Sequence, residues 1–389
     1  MTQAIDPSRF NEQQKSAVEQ VLRWYGMFRA KKHKKLGFFL SGYAGTGKTT
    51  IAKHIAEQCG GMFKVAFIAP TGKAASRLRV KGCDYARTMH QFAYKFVGEN
   101  DDQEPVFVGK GALDESPNLI VLDEASMVGH YQMQGLLAHD IPILMLGDIG
   151  QIPPVSDRPY CTEHNMDVLL DQIERNAGNI VRASMYARQG NALPLREYED
   201  VAVRPGMPND EQLMRAYAED AVLLCTFNST RERMNNRMRR LAGFTAPLPE
   251  VGEKVLCTFN QHGKNFMNGE QAIVLDYESP TEEEFEDMPR DSDGLQILIA
   301  KSLTDGRTRR LAFNPDSFHV NSDVRATARR AYGGFDFGGC LTVHKSQGSE
   351  WEHVAVIEED MPSLPYAKRA YTAYTRAISR LEVYKGSRA

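Results

Sequence analysis

Residues 37–58 read GFFLSGYAGTGKTTIAKHIAEQ: an apolar strand-forming run, a glycine-rich turn, then a helix-forming run. The turn, Gly42 to Thr49, has the spacing GxxxxGK[ST], and it stands between a strand and a helix, the context this spacing needs to cradle phosphate. Gly42, Gly45 and Gly47 let successive backbone N–H groups converge on phosphate oxygens. Thr46, Lys48, Thr49 and Thr50 lead into a helix whose N-terminus adds a favourable dipole. Lys48 is suited to the β- and γ-phosphates and the Thr49 hydroxyl to Mg²⁺.

Working outward, the same grammar repeats. KVAFIAP (64–70) and KAASRLRV (73–80) are a second strand and helix, and LIVLDEAS (119–126) and IPILMLGD (141–148) are further strands. Alternation of this kind predicts a parallel α/β sheet. LIVLDEAS delivers Asp123 and Glu124 to the C-terminal end of a strand, where such sheets place ligand-binding groups. Asp123 suits the Mg²⁺ shell and Glu124 suits polarising an attacking water, so phosphoryl transfer from a Mg²⁺-nucleotide to water is the expected chemistry. An incidental glycine turn, or two solvated acids ending a strand, explains either motif alone and explains the pair poorly. In LGDIGQIPPV (146–155), Asp148 and Gln151 are placed to sense a γ-phosphate, and Pro153 and Pro154 force an extended exit.

Between these strands, KFVGENDDQEPVFVGK (95–110) has two β-prone runs around a polar, acidic tip, which is a hairpin signal. The α/β grammar restarts after about Ser156, with AVLLCTF (221–227), GGCLTVHKS (338–346), HVAVIEED (353–360) and RLEVYKG (380–386) as strands. From 251 to 330 short strands separated by Gly, Asp and Asn turns predict a small all-β insertion. Its acidic stretch 281–293 carries seven carboxylates against one arginine and reads as solvated loop.

Composition sets the bounds. The chain has 389 residues, enough for two or three domains, with 42% hydrophobic and 25% charged residues, which excludes wholesale disorder. Mean hydropathy is −0.43 and no apolar run reaches the ~18 residues of a membrane span. The opening MTQAIDPSRFNEQQKSAV has no apolar core of a secretory signal, and six scattered cysteines form no CxxC pair. A reducing cytoplasm, or a host cytoplasm for a viral chain, is therefore expected. The net charge of −3 excludes a histone-like protein but not a local basic groove.

Taken together, the motifs resemble those of superfamily-one group B helicases of the RecD/Dda type, from Phe10 to Ala377. FNEQQKSAV (10–18) resembles the Q motif, with Gln14 as adenine reader. APTGKAA (69–75) resembles motif Ia, ARTMHQF (86–92) motif Ib, and LGDIGQIPPV motif III. LDQIER (170–175) offers Arg175 as the motif IV arginine. LTVHKSQGSEW (341–351) resembles motif V, and AYTAYTRAIS (370–379) resembles motif VI, with Arg376 as arginine finger. The shortness of the chain is more like the phage Dda-type enzymes than the RecD subunit.

The resemblance implies an α/β fold of two RecA-like P-loop NTPase domains. The first spans 1–155 with a β-hairpin pin at about 92–116; the second spans 156–250 and 331–389, interrupted by an SH3-like barrel at 251–330. It implies Mg²⁺ and ATP clamped between the domains, with Lys48, Glu124, Gln151, Arg175 and Arg376 in catalysis. It further implies 5′→3′ translocation on single-stranded DNA, unwinding at duplex junctions, and action as a monomer, with replication or recombination proteins left open as partners. Thr71, Thr88, His90, Thr342 and His344 are the expected contacts to the DNA backbone; His90 fits a packed or capping histidine as well. The five arginines of RERMNNRMRR (231–240) suit a DNA groove or a solvated helix face equally. The turn FMNGEQ (266–271) varies from the family's pattern, and the acidic stretch has no family counterpart. Two other functions stay open: an ATPase that displaces proteins from single strands with little unwinding, and an RNA helicase, since phosphate contacts do not report the 2′-hydroxyl.

Overall fold

A computed structural model describes residues 6–99, 105–154, 157–173, 178–258, 266–281, 295–319, 323–325, 328 and 334–386. The chain forms two compact units that meet in sequence at Arg182 and Ala183.

The first unit begins with α1 (Glu12–Arg29), β1 (Gly37–Gly42), α2 (Lys48–Gln58), β2 (Val65–Ala69), α3 (Gly72–Val80), β3 (Arg87–Thr88) and α4 (Met89–Ala93). A hairpin of β4 (Tyr94–Glu99) and β5 (Pro105–Gly109) follows, then β6 (Leu119–Leu122), α5 (His130–Leu137), β7 (Ile143–Gly147) and β8 (Val168–Leu170). Six strands make one parallel sheet in the order β3-β2-β6-β7-β1-β8. Side chains alternate across a strand, so each apolar run feeds two cores. Phe38, Leu40, Val65, Phe67, Leu119, Val121, Leu144 and Leu146 pack with α1, α2 and α3 on one face. Phe39, Ala66, Ile68, Ile120, Leu122, Ile143 and Met145 pack with α4 and α5 on the other. Strands covered on both faces have to be continuously apolar, which is how these runs read.

The β4–β5 hairpin is antiparallel, with a register shift between Phe96 and Gly98. Its tip, 100–104, lies outside the described residues. Its base is fixed within its own unit: the Tyr94 hydroxyl donates to the Gln132 carbonyl of α5 (2.7 Å), and Lys110 N donates to Ala93 O (2.8 Å). Gly135 admits this because a Cβ there would fall 2.3 Å from the Tyr94 hydroxyl.

The second unit contains most of α6 (Asn179–Arg188), then β9 (Arg196–Glu197), β10 (Val201–Pro205), α7 (Asp210–Tyr217), β11 (Ala221–Cys225) and α8 (Asn228–Leu241). After the inserted strands β12 (Lys254–Cys257), β13 (Gln271–Glu278), β14 (Gln296–Ser302), β15 (Thr308–Phe313) and β16 (Phe335–Phe337) come β17 (Cys340–Thr342), β18 (Trp351–Glu358), α9 (Tyr366–Tyr374) and β19 (Ala377–Lys385). The main sheet runs β17-β11-β18-β19-β10-β9, parallel except for β9. The insertion is a five-stranded antiparallel sheet, β15-β14-β13-β12-β16, around a core that includes Phe266, Phe313 and Phe335. Its last strand falls after residue 330, because Phe335–Phe337 pairs with β12. No ladder between its edges β15 and β16 closes a barrel among the described residues. Most of the acidic stretch, 282–293, lies outside them.

On helix α8 three of the five arginines find carboxylate partners, while Arg233 and Arg240 are exposed. Arg231 pairs with Asp336 of β16, Arg239 with Glu253 beside β12, and Arg237 with Asp210 of α7. The Arg239 guanidinium also lies 3.8 Å over the Phe337 ring. Lys254, almost fully buried, donates its ammonium to Ala218 O (2.5 Å) and Ala221 O (3.1 Å). Arg231 and Arg239 thus fasten the insertion to α8 and Lys254 fastens it to the start of β11, whereas Arg237 joins α8 to α7.

Candidate nucleotide site and nucleic-acid-facing residues

The phosphate loop leaves β1 between its neighbours β7 and β8. Gly45 and Gly47 have φ of 83° and 78°, the left-handed region that favours glycine. At Gly47 a Cβ would also sit 2.8 Å from the Gln14 amide nitrogen. Gly47 is the N-cap of α2 and no side chain caps the helix, so the first N–H groups of α2 face the loop, the arrangement that binds anions. The Lys48 ammonium lies inside the turn, donating to Gly42 O (2.7 Å) and Tyr43 O (2.9 Å). Buried Thr46 closes the turn through its hydroxyl to Tyr43 O (2.9 Å). Thr50 is exposed in the first turn of α2.

Across the sheet edge, the Thr49 hydroxyl faces Asp123 Oδ2 at 3.5 Å. Asp123 is steadied because its Oδ1 accepts from Glu124 N (2.9 Å). Glu124 itself is left-handed, φ 52° and ψ 36°. That conformation costs a non-glycine residue about 1–3 kcal/mol and persists where the surroundings impose it. The following turn packs against the exit of β7: Asp148 N donates to Ser126 Oγ (3.3 Å), and a Cβ on Gly147 would fall 2.9 Å from Ser126 N. Gln151 is buried with an amide oxygen that has no hydrogen-bond partner among the described residues, a polar group available to a ligand. Among the described residues no three His, Cys, Asp or Glu side chains converge on a metal position. Thr49 and Asp123 fit Mg²⁺, which is usually held by one or two carboxylates together with phosphates and water.

Gln14 braces this loop. Its amide nitrogen donates to Thr46 O (3.2 Å), and its amide oxygen accepts from Asn11 N in the capping box that starts α1. Sequence reasoning passed over its neighbour. Gln13 donates to Asp171 Oδ1 (2.8 Å) and accepts from Asp171 N and Gln172 N, tying α1 to the exit of β8. Its only signal was adjacency to Gln14. Arg175 lies outside the described residues.

The residues expected at the DNA backbone serve local roles. Thr71 caps α3 by accepting from Ala74 N, and Thr88, almost fully buried, caps α4 by accepting from Gln91 N. Each threonine hydroxyl keeps its own proton to donate. His90 packs its ring 5.2 Å from Tyr94 and 5.1 Å from Phe107 at the hairpin base. Thr342 accepts from Lys345 N (3.4 Å), and burial holds the His344 imidazole below its ordinary range. Arg376, 2% exposed, donates to Thr372 O (3.0 Å), Ser349 O (3.1 Å) and Thr375 Oγ1 (3.0 Å) within the second unit.

Residues 9–202 match the AAA domain and residues 337–384 the UvrD-like helicase C-terminal domain. The chain is 28% identical over 369 residues to the ATP-dependent RecD2 DNA helicase of Deinococcus radiodurans, covering 88% of this chain but 46% of that protein, so it spans about half its relative's length. The Pif1 helicase from Candida albicans superposes with a TM-score of 0.57 at 19% identity, over 97% of this chain and 94% of that one. Bacteroides Pif1, a structure bound to single-stranded DNA, superposes with a TM-score of 0.56 at 16% identity, over 96% and 91%. Identities this low speak to the fold alone, and that fold is the two-domain RecA-like one. The chain thus carries an AAA domain ahead of a UvrD-like helicase C-terminal domain, is similar over most of its length to a RecD-type DNA helicase, and shares the two-domain RecA-like fold of the Pif1 helicases.

Proposed function

We propose that the chain is an ATP-dependent 5′→3′ DNA helicase, which translocates on single-stranded DNA and separates duplex DNA by hydrolysing Mg²⁺-ATP. The observation that carries the reading is the meeting of Thr49, Asp123 and the strained Glu124 beside the glycine turn that holds Lys48. Bound Mg²⁺ would supply charge neutralisation at the phosphates, held by Thr49 and Asp123. Gln14 couples the loop to the adenine. Lys48 and the α2 N-terminus bind the β- and γ-phosphates. Glu124 orients a water for in-line attack on the γ-phosphorus; the bond to the β-phosphate oxygen breaks and ADP leaves. Gln151 senses the γ-phosphate. Arg175 and Arg376 supply positive charge to the transferring group, a contribution of roughly 10³–10⁵ in rate when an arginine acts this way. Thr71, Thr88, His90, Thr342 and His344 hold the DNA backbone, which positions a strand without reading sequence.

The braced β4–β5 hairpin favours unwinding over mere protein displacement. A wedge must resist stacking of about 1.4 kcal/mol per base-pair step, which a floppy loop would not. The test is ATP turnover with single-stranded DNA or RNA of equal length. Strong stimulation by DNA supports the reading; equal or greater stimulation by RNA favours the RNA motor, and none by either refutes it.

A further inference from the structure

Helix α9 leads directly into Arg376, and one carboxylate ties both of its ends to the sheet. Glu358 is the last residue of β18. Its Oε1 accepts from the hydroxyl of Tyr366 (2.9 Å), which starts α9, and from the hydroxyl of Tyr374, which ends it. Its Oε2 accepts from the ammonium of Lys385, the residue that pairs with Glu358 across the β18–β19 ladder. The next residue, Glu359, turns the other way and accepts from Thr226 N (2.8 Å), Phe227 N and the Thr230 hydroxyl at the start of α8. In the middle of α9, buried Arg369 donates to Met361 O (3.0 Å) and Leu364 O (2.7 Å), holding the turn before the helix.

This anchoring reaches Arg376 through the last turn of α9. Arg376 N donates to Ala373 O (3.2 Å), and the guanidinium donates to Thr372 O and Thr375 Oγ1 of that turn as well as to Ser349 O (3.1 Å) outside it. Its bonds to Thr372 and Thr375 tie the guanidinium to the C-terminal end of α9, which the Tyr374–Glu358 bond pins, while its bond to Ser349 O ties it to the segment before β18. We propose that Glu358, with Tyr366, Tyr374 and Lys385 as its donors, is a positioning residue for Arg376. The assignment rests on the reading of Arg376 as the residue that stabilises the transferring phosphoryl group. An ionised carboxylate is acceptor only and suits three converging donors; a glutamine of the same size brings an NH₂ that opposes one of them.

The test is steady-state ATP turnover of the full chain at saturating single-stranded DNA, for Glu358→Gln, Tyr374→Phe, Arg376→Ala and the Glu358→Gln/Arg376→Ala double variant. Misplacing a catalytic group by about 1 Å can cost roughly 10²-fold in rate, so kcat of Glu358→Gln is expected to fall towards that of Arg376→Ala. KM for ATP and affinity for DNA should stay within about twofold of wild type. The double variant should be no slower than Arg376→Ala alone, a non-additivity that a purely structural role would not produce. Tyr374→Phe should show a smaller loss of the same kind, and it decides the matter if Glu358→Gln does not fold. Wild-type kcat in a folded single variant, or losses that multiply in the double variant, would overturn the proposal. If Arg376→Ala itself keeps wild-type kcat, the finger reading fails and this proposal with it. Loss of turnover in Lys48→Ala tests the ATPase reading separately.

Discussion

Replacing Lys48 with alanine separates the chemistry of the phosphate loop from its stability. The Lys48 ammonium donates to Gly42 O and Tyr43 O at 2.7 and 2.9 Å, so its removal takes two charge-assisted hydrogen bonds from the turn. Such bonds contribute about 1.5–3 kcal/mol each when desolvated. The lysine here is only half-buried, and solvent screening brings the expected loss down to on the order of 1 kcal/mol. That is small against the ~5–15 kcal/mol of a typical domain, and the glycine conformations and the Gln14 brace remain. The chemical effect is much larger. Withdrawing one donor aimed at charge developing in the transition state costs about 10²–10³ in rate, and here the donor is a full positive charge. Lys48→Ala should therefore lose ATP turnover by at least that factor, while melting within a few degrees of wild type and binding single-stranded DNA with little change. A coupled phosphate-release assay, thermal melting and fluorescence anisotropy measure the three quantities. Turnover within tenfold of wild type would refute the role given to Lys48. Loss of cooperative melting together with DNA binding would show that the lysine is structural.

Three further outcomes are expected. Single-strand affinity should fall with salt at a log–log slope of about −0.7 per phosphate neutralised and be nearly independent of base sequence; a strong preference for one sequence in binding titrations would point to base readout. Exchanging residues 99–104 for a Gly-Asn turn should leave DNA-stimulated turnover intact and sharply reduce strand separation in a gel-based unwinding assay, and equal unwinding would remove the hairpin from the wedge role. Burial pulls the Lys254 ammonium from 10.5 down to about 8; the unfolded chain then binds more protons between those values, so this group's contribution to stability rises with pH from about 8 to 10.5, by on the order of 3 kcal/mol. Subtracting the pH profile of Lys254→Met in denaturant titrations isolates that rise, and parallel profiles would show that the lysine is not buried as a cation.

The nucleotide site was legible because its parts are local. Strand, glycine turn and helix follow one another within residues 37–58, and Asp123 and Glu124 end an apolar run whose burial follows from its composition. What was not legible depends on partners distant in sequence. The three residues of β8 are too short to register as a strand, yet Leu170 O accepts from Tyr43 N (3.0 Å) and its Cβ would lie 2.9 Å from one on Gly42, so a segment past the apparent end of the first α/β block floors the phosphate loop. The arginines of α8 left a groove and a solvated face equally open; Asp336, Glu253 and Asp210 account for Arg231, Arg239 and Arg237 as structural pairs, and Arg233 and Arg240 stay exposed. The acids ending HVAVIEED read only as the end of a strand; that Glu358 ties α9 becomes visible when Tyr366 and Tyr374 converge on it. The threonines at 71, 88 and 342 were read for their hydroxyl chemistry, while the backbone N–H groups they cap are a matter of local conformation.

The direction of travel is where resemblance carries most and geometry least, and unwinding polarity is the most direct test of the motor itself. Two duplexes of equal sequence, one with a 5′ single-stranded tail and one with a 3′ tail, are offered to the chain with ATP and Mg²⁺, and displaced strand is measured over time. The expected result is efficient, ATP-dependent displacement from the 5′-tailed duplex and little from the 3′-tailed one. Efficient displacement from the 3′-tailed duplex alone would contradict the polarity, and displacement from neither, with DNA-stimulated ATP turnover intact, would contradict the helicase reading.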